Sequence, residues 1–297
     1  MKTVESIVRK IQELKENEID SFIEKRISEL ANSEEREIGF NTDTYMYNGF
    51  LDEKIRVNFG GIIGESEGCE MAMFSSMRFN DPDMFKPLIH ELRSREHTLG
   101  TPYVSVIEAT DSYLSLKDEN RRDNSEYYDD VKTSIAVLSA VSEKTYPIQV
   151  YKSLGIGTCT QIAGVNQNMF KFLGIDSDYA IGMCGECHHA FNIVYPWGRE
   201  KDAILFDSMR PVGSDPYLYL LDEDKKRKLF SNEVLTLKRA DVKKAYKKLF
   251  DIDPDCDCEE IDKYVLINGD YFDKPVPDLL PTSTKRCLRF RRVDFED

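Results

Sequence analysis

Gly155-Ile156-Gly157-Thr158-Cys159-Thr160-Gln161-Ile162-Ala163 is the stretch on which the fold turns. Two glycines this close together predict a tight turn. The text after them steps at helical spacing: Ile162, Ala163, Met169, Phe170 and Leu173 fall near a helical period, and Gly174 is the stop. Cys159 then stands in the first helical turn, where unpaired backbone N–H groups and the positive dipole end favour a thiolate. Two segments downstream complete the pattern. His188-His189-Ala190-Phe191-Asn192-Ile193-Val194 reads as an apolar strand opened by His189 and closed by Pro196-Trp197-Gly198. Ala203-Ile204-Leu205-Phe206-Asp207 reads as a second strand with Asp207 at its end. The short charged turn 198–202 between them predicts neighbouring strands, with His189 and Asp207 within reach of each other. A thiol nucleophile, an imidazole that takes its proton and a carboxylate that orients the imidazole make up a thiol-dependent acyl-transfer site.

This order of motifs resembles the transglutaminase-like superfamily, whose members share the papain-like fold. The resemblance rests on Gly-x-Cys-x-x-x-Ala at 157–163, on His189-Ala190-Phe191 at the head of a strand, and on a following strand that ends in Asp207. Lys144-Thr145-Tyr146-Pro147 before the cysteine and Leu173-Gly174-Ile175 after the helix also look like that family's surroundings. The resemblance covers about residues 128–212. It implies Cys159 as nucleophile, His189 as base and Asp207 as orienting acid. The family holds peptidases, cross-linking enzymes, deamidases and amidases, so it implies a chemistry ahead of a substrate. In the animal cross-linking enzymes an aromatic residue follows the cysteine, whereas Thr160 stands here, which favours hydrolysis of an amide by a peptidase or amidase. The alternatives are a protein-glutamine transglutaminase or deamidase, and a non-enzymatic zinc-binding interaction protein on an idle scaffold. The expected fold class is α+β, a papain-like core behind a helical N-terminal region. The expected division is 1–120, helical and mixed α/β, and 121–297, the catalytic domain with a C-terminal extension.

The whole chain is compatible with this reading. Its 297 residues suffice for a full core, and 41% hydrophobic with 32% charged residues is ordinary globular composition. The formal net charge of −14 argues against a general nucleic-acid binder; a protein or peptide substrate is what the resemblance implies. No apolar stretch approaches the roughly 20 residues a membrane span needs. Met1-Lys2-Thr3-Val4-Glu5-Ser6 leads into charged text, so no signal peptide is expected. Seven cysteines, an odd number, then fit reduced thiols in a cytoplasm. The oligomeric state is not legible.

Val4, Ile7, Val8, Ile11 and Leu14, then Ile19, Phe22, Ile23, Ile27 and Leu30, predict a long amphipathic helix or two, and the register slip between Leu14 and Ile19 favours packing on the chain's own domain over a partner-binding coiled coil. Residues 54–63 and 103–109 look strand-like, while 83–95, 131–141 and 222–250 look helical. The polar run 117–125 is the expected linker, 264–268 looks like a strand, and the basic run 285–292 reads as an edge strand.

The remaining cysteines offer competing chemistry. Cys184-x-x-Cys187-His188 has the spacing of a haem attachment site or a redox pair, but export signals are not visible and the pair precedes a strand rather than opening a helix. With Cys256 and Cys258 the pair makes a possible four-thiolate zinc site. No cofactor other than this structural zinc is expected. His188 competes with His189 for the role of base, and strand alternation allows only one of them to face Cys159. The resemblance selects His189. The oxyanion donors expected are the Cys159 backbone N–H and Gln149.

Overall fold

An antiparallel six-stranded sheet lies against a helix that opens on Cys159. The computed structural model describes residues 2–31, 37–41, 44–51, 57–62, 72–79, 81–96, 98–114, 145–154, 159–184, 187–207, 217–230, 235–237, 239–251 and 286–288. In chain order come α1 (Lys2–Glu13), a 3₁₀ turn (Glu16–Glu18), α2 (Ile19–Ala31), β1 (Glu37–Asn41), β2 (Thr44–Tyr47), β3 (Val57–Ile62) and β4 (Ala72–Arg78). A second 3₁₀ turn (Pro82–Met84), α3 (Phe85–Ser94), α4 (Thr101–Leu114), β5 (Thr145–Pro147) and α5 (Ile148–Leu154) lead to α6 (Cys159–Phe172). Then follow β6 (Ser177–Cys184), β7 (Cys187–Val194), β8 (Ala203–Asp207), β9 (Tyr217–Leu221), α7 (Glu223–Phe230), β10 (Leu235–Leu237), α8 (Arg239–Leu249) and β11 (Arg286–Leu288). The fold is α+β.

The large sheet has the order β1-β2-β6-β7-β8-β9, β3-β4-β5 form a second sheet, and β10-β11 a third. Its strands β6 to β9 follow one another antiparallel, as short connections between consecutive strands favour. β2 joins this meander from far upstream, with Tyr45 opposite Ile181 and Tyr47 opposite Tyr179. Residues on either side of the division expected at 120 therefore share one sheet, and that position itself lies outside the described residues.

α6 is the axle of the core. Thirteen of its residues are buried, and Gly174 follows it with φ +73, the left-handed conformation that ends helices on glycine. In its last turn Phe172 stacks on Phe85 at 4.4 Å and meets the edge of Phe22 at 5.8 Å. Each such pair adds about 0.5–1.5 kcal/mol to the area buried. Arg26 of α2 donates Nε to the Phe172 carbonyl (2.9 Å) and Nη2 to the Lys171 carbonyl (3.5 Å), satisfying acceptors that the helix end leaves open.

The N-terminal stripe breaks where its register slips: α1 ends at Glu13, and α2 starts at Ile19 after the 3₁₀ turn. α1 packs on α3 and α2 on α6, so the apolar stripe is covered by the chain's own core. Two expectations are overturned. Residues 222–250, expected as helical, form α7 and α8 with the strand β10 between them. Residues 103–109, expected as a strand, lie inside α4. This helix is buried on almost every side, from Thr101 to Leu114, so its sequence has no polar face and its apolar run imitates a buried strand. Pro102 at its start is the helix signal that decides the case. The expected linker 117–125, helix 131–141 and strand 264–268 lie outside the described residues.

Candidate functional site

Cys159 is the first residue of α6 and is 9% exposed. Its Sγ is 4.0 Å from Thr160 Oγ1. The first-turn amides of a helix have no intrahelical acceptor, so their partial positive charge acts on whatever stands at that end. The helix is held against the sheet by a row of amide side chains. Gln167 donates Nε2 to the carbonyls of Gly49 and Ser177, both at 3.1 Å, and its Oε1 accepts from Ser177 Oγ at 3.0 Å. Asn168 exchanges hydrogen bonds with the backbone of Leu51, accepting from its N–H at 2.7 Å and donating to its carbonyl at 2.9 Å. Asn166 accepts from Thr110 Oγ1 at 2.7 Å. From the sheet, Asn192 of β7 donates Nδ2 to the Ala163 carbonyl (3.0 Å) and to Gln167 Oε1 (3.3 Å). These residues fix the nucleophile helix and were missed in the sequence. The signal was the run Asn166-Gln167-Asn168 in the middle of an otherwise apolar helix.

Register places the other two members of the expected triad. His189 pairs with Gly182 and His188 with Met183 across β6–β7. Across β7–β8, Asn192 pairs with Phe206. Asn192 reaches α6, and Phe206 meets Phe170 of α6 edge-on at 4.9 Å, so these two positions mark the sheet face that carries the helix. Asp207 is next to Phe206, is 2% exposed, and falls on the reverse face. Continuing the register by one residue sets Asp207 across from Phe191. Positions 189 and 207 are thus diagonal neighbours on one face, a relation of about 7–8 Å between backbones. Going back along α6 from Gln167 through Ala163 leads to Cys159, and the same direction along β7 leads from Asn192 to its start. Gln167 also bonds Ser177, which pairs with Val194 at the end of β7, so the Cys159 end of α6 points toward the head of that strand, on the face that alternation assigns to positions 188 and 190. The fold brings 189 and 207 together, and it brings Cys159 to the strand end that carries both histidines.

Gln149 is exposed in the first turn of α5. Cys184 and Cys187 pair directly across the β6–β7 hairpin. Cys256 and Cys258 lie outside the described residues, and among the described residues no group of three or more His, Cys, Asp or Glu side chains is arranged to hold a metal.

The far end of α6 has its own electrostatics. Arg199 grips Asp176 with Nε and Nη2 (2.7 and 2.8 Å) and Asp178 with Nη1 and Nη2 (3.0 and 2.7 Å), while its guanidinium lies 4.2 Å from the centre of the Tyr195 ring. The Tyr195 hydroxyl donates to Asp178 at 2.7 Å, so the fully buried Asp178 carboxylate is well satisfied. Burial pushes Asp176 upward, but the hydrogen bonds and charge of Arg199, with Lys171 and Asn48, outweigh it and hold that carboxyl below its usual range. Burial lowers the Lys171 amine to about 8, against the partial opposition of Asp176 and Asp178. A cavity of about 370 Å³ opens at this same end, between Tyr103, Asp176, Tyr195 and Trp197, remote from Cys159.

No family model matches the chain, and neither does any curated protein or solved structure.

Proposed function

We propose that the protein is a thiol-dependent hydrolase acting on an amide bond of a protein or peptide, with a papain-like catalytic core. The observation that carries the reading is Cys159 at the first turn of a buried helix whose leading end overlies the head of β7. The Cys159 thiolate attacks the amide carbonyl, and the resulting oxyanion is met by the Cys159 N–H, with Gln149 as the second donor. An imidazolium from β7 protonates the leaving amine, which departs and leaves a thioester. The imidazole then draws a proton from water, the hydroxide equivalent attacks the thioester, and the acid and free thiol are released. Asp207 orients the imidazole and supports its charge. The family resemblance favours His189, which directly precedes Ala190-Phe191, as the base; in this scheme the head of β7 departs from strict alternation to turn position 189 from the face it shares with Asp207 toward Cys159.

One observation favours a second reading of the base. Asn192 and Phe206 define the helix side of the sheet, and alternation puts position 188 on that side with Cys159. His188 then takes the proton, and Asp207 serves the fold rather than the imidazole.

Brief alkylation with limiting iodoacetamide across pH, read by mass spectrometry, tests the nucleophile. Cys159 labels first among the seven thiols and well below the ordinary thiol pKa of about 8.5. Preferential labelling of Cys69 or Cys287 sinks the proposal. Turnover of peptide and glutamine-containing libraries, lost in Cys159→Ala, then separates hydrolysis from transfer to an amine.

A further inference from the structure

Lys171, Asn48 and Asp176 meet at the far end of α6 in an arrangement that the acyl-transfer site does not use. The Lys171 Nζ donates to Asn48 Oδ1 at 3.1 Å and lies 3.6 Å from Asp176 Oδ1. An amine is thus held against a carboxamide carbonyl and a carboxylate, with the lysine side chain only 13% exposed. The contact joins the loop after β2 to the last turn of the nucleophile helix, across 123 residues of chain.

We infer that Lys171 and Asn48 condense into an intramolecular isopeptide bond, with Asp176 carrying the proton between them. The Nζ–Cγ bond forms as the neutral amine attacks the Asn48 carboxamide, and the Cγ–Nδ2 bond breaks as the tetrahedral centre collapses. One proton moves from Nζ through the Asp176 carboxylate to Nδ2. Ammonia leaves, and at neutral pH it departs as ammonium with the proton that Lys171 carried at the start. No electrons change hands and no co-reactant is consumed.

Three features of the site favour this step. Burial lowers the amine to about 8, so a usable fraction is unprotonated near neutral pH, whereas an exposed lysine is almost wholly charged. The hydrogen bond from Nζ to Asn48 Oδ1 already holds the amine beside the carboxamide, so only a local rotation separates it from Cγ and the entropic cost of bringing the groups together falls. Arg199 grips Asp176 through both carboxylate oxygens and keeps it ionised, ready to accept the ammonium proton.

The intact mass of the purified chain decides the matter, with a second measurement after incubation at about pH 9, above the titration of the amine. The expected result is a mass lower than the sequence requires by one ammonia, complete or rising with incubation. Proteolysis then yields one branched peptide that joins the segments containing Asn48 and Lys171. Asn48→Ser, Lys171→Met and Asp176→Asn each retain the full sequence mass, and circular dichroism confirms that Asp176→Asn is folded, so that its retained mass reports the lost proton carrier. Asn48→Ser, deprived of a cross-link over so long a loop, melts on the order of 10 °C below the condensed protein. A wild-type mass that stays at the sequence value after incubation overturns the inference. So does a gain of one mass unit at Asn48, which means the carboxamide is hydrolysed at Asn48-Gly49 instead of captured by the lysine.

Discussion

His188 and His189 are adjacent, yet alternation on β7 gives them opposite faces, so their alanine variants must differ. If position 189 supplies the base beside Asp207, His189→Ala abolishes turnover and His188→Ala keeps most of it. The helix-face reading predicts the reverse. Equal loss from both, with the fold intact by circular dichroism, rejects either single-base scheme. Asp207 allows a second comparison. Asn fills nearly the volume of Asp but presents an amide that favours the wrong imidazole tautomer. Asp207→Asn therefore leaves the melting temperature close to wild type and slows turnover on the order of 10³–10⁴-fold if the residue orients the base. Unchanged turnover and an unchanged pH profile of Cys159 alkylation remove Asp207 from the mechanism.

α6 was legible because its apolar positions and its stop at Gly174 agree, whereas the glycine turn expected at 155–157 lies outside the described residues; the short strands β7 and β8 were legible from their apolar runs and turn residues. α4 was not, since a helix buried on all sides has lost the periodicity by which a helix is recognised. Nor was the amide row Asn166-Gln167-Asn168, whose partners Gly49, Leu51 and Ser177 come from other segments and leave no local trace. The pairing of β2 with β6 is equally invisible, because four residues, Thr44–Tyr47, carry too little pattern to name a partner. Gly164 shows how tightly α6 is set. A Cβ built there stands 2.2 Å from the Phe79 ring, and Phe79 is 1% exposed with nowhere to turn. Gly164→Ala gains about 1 kcal/mol of helix propensity. The clash costs more, so urea denaturation shows a net loss of about 1–3 kcal/mol instead of the stabilisation expected at an open helical glycine.

Stability of the full protein depends on alkaline pH in two opposed ways. An amine lowered to about 8 binds fewer protons in the folded chain than in the unfolded one between about 8 and its ordinary 10.5, so folding strengthens as pH rises through that window. In Asn48→Ser, where Lys171 keeps a free amine, this gain is roughly 3 kcal/mol, and in the condensed wild type it is absent. Tyr103, Tyr113 and Tyr195 work in the other direction. Burial raises all three hydroxyls, with help from Asp81 at Tyr113 and Asp178 at Tyr195. Above pH 10 the unfolded chain therefore sheds tyrosine protons that the folded chain retains, and stability falls. Urea midpoints measured from pH 7 to 11 show both limbs in Asn48→Ser and only the fall in the condensed protein. The pairing of β2 with β6 has a consequence for biosynthesis. Tyr45 leaves the ribosome long before Ile181 exists, and at about 5–20 residues per second the wait is roughly ten seconds. Throughout that interval the edge of β2 that will receive β6 lacks its partner strand and is open to chaperones and to neighbouring nascent chains, so slowing translation between codons 48 and 180 lengthens the exposure of that edge.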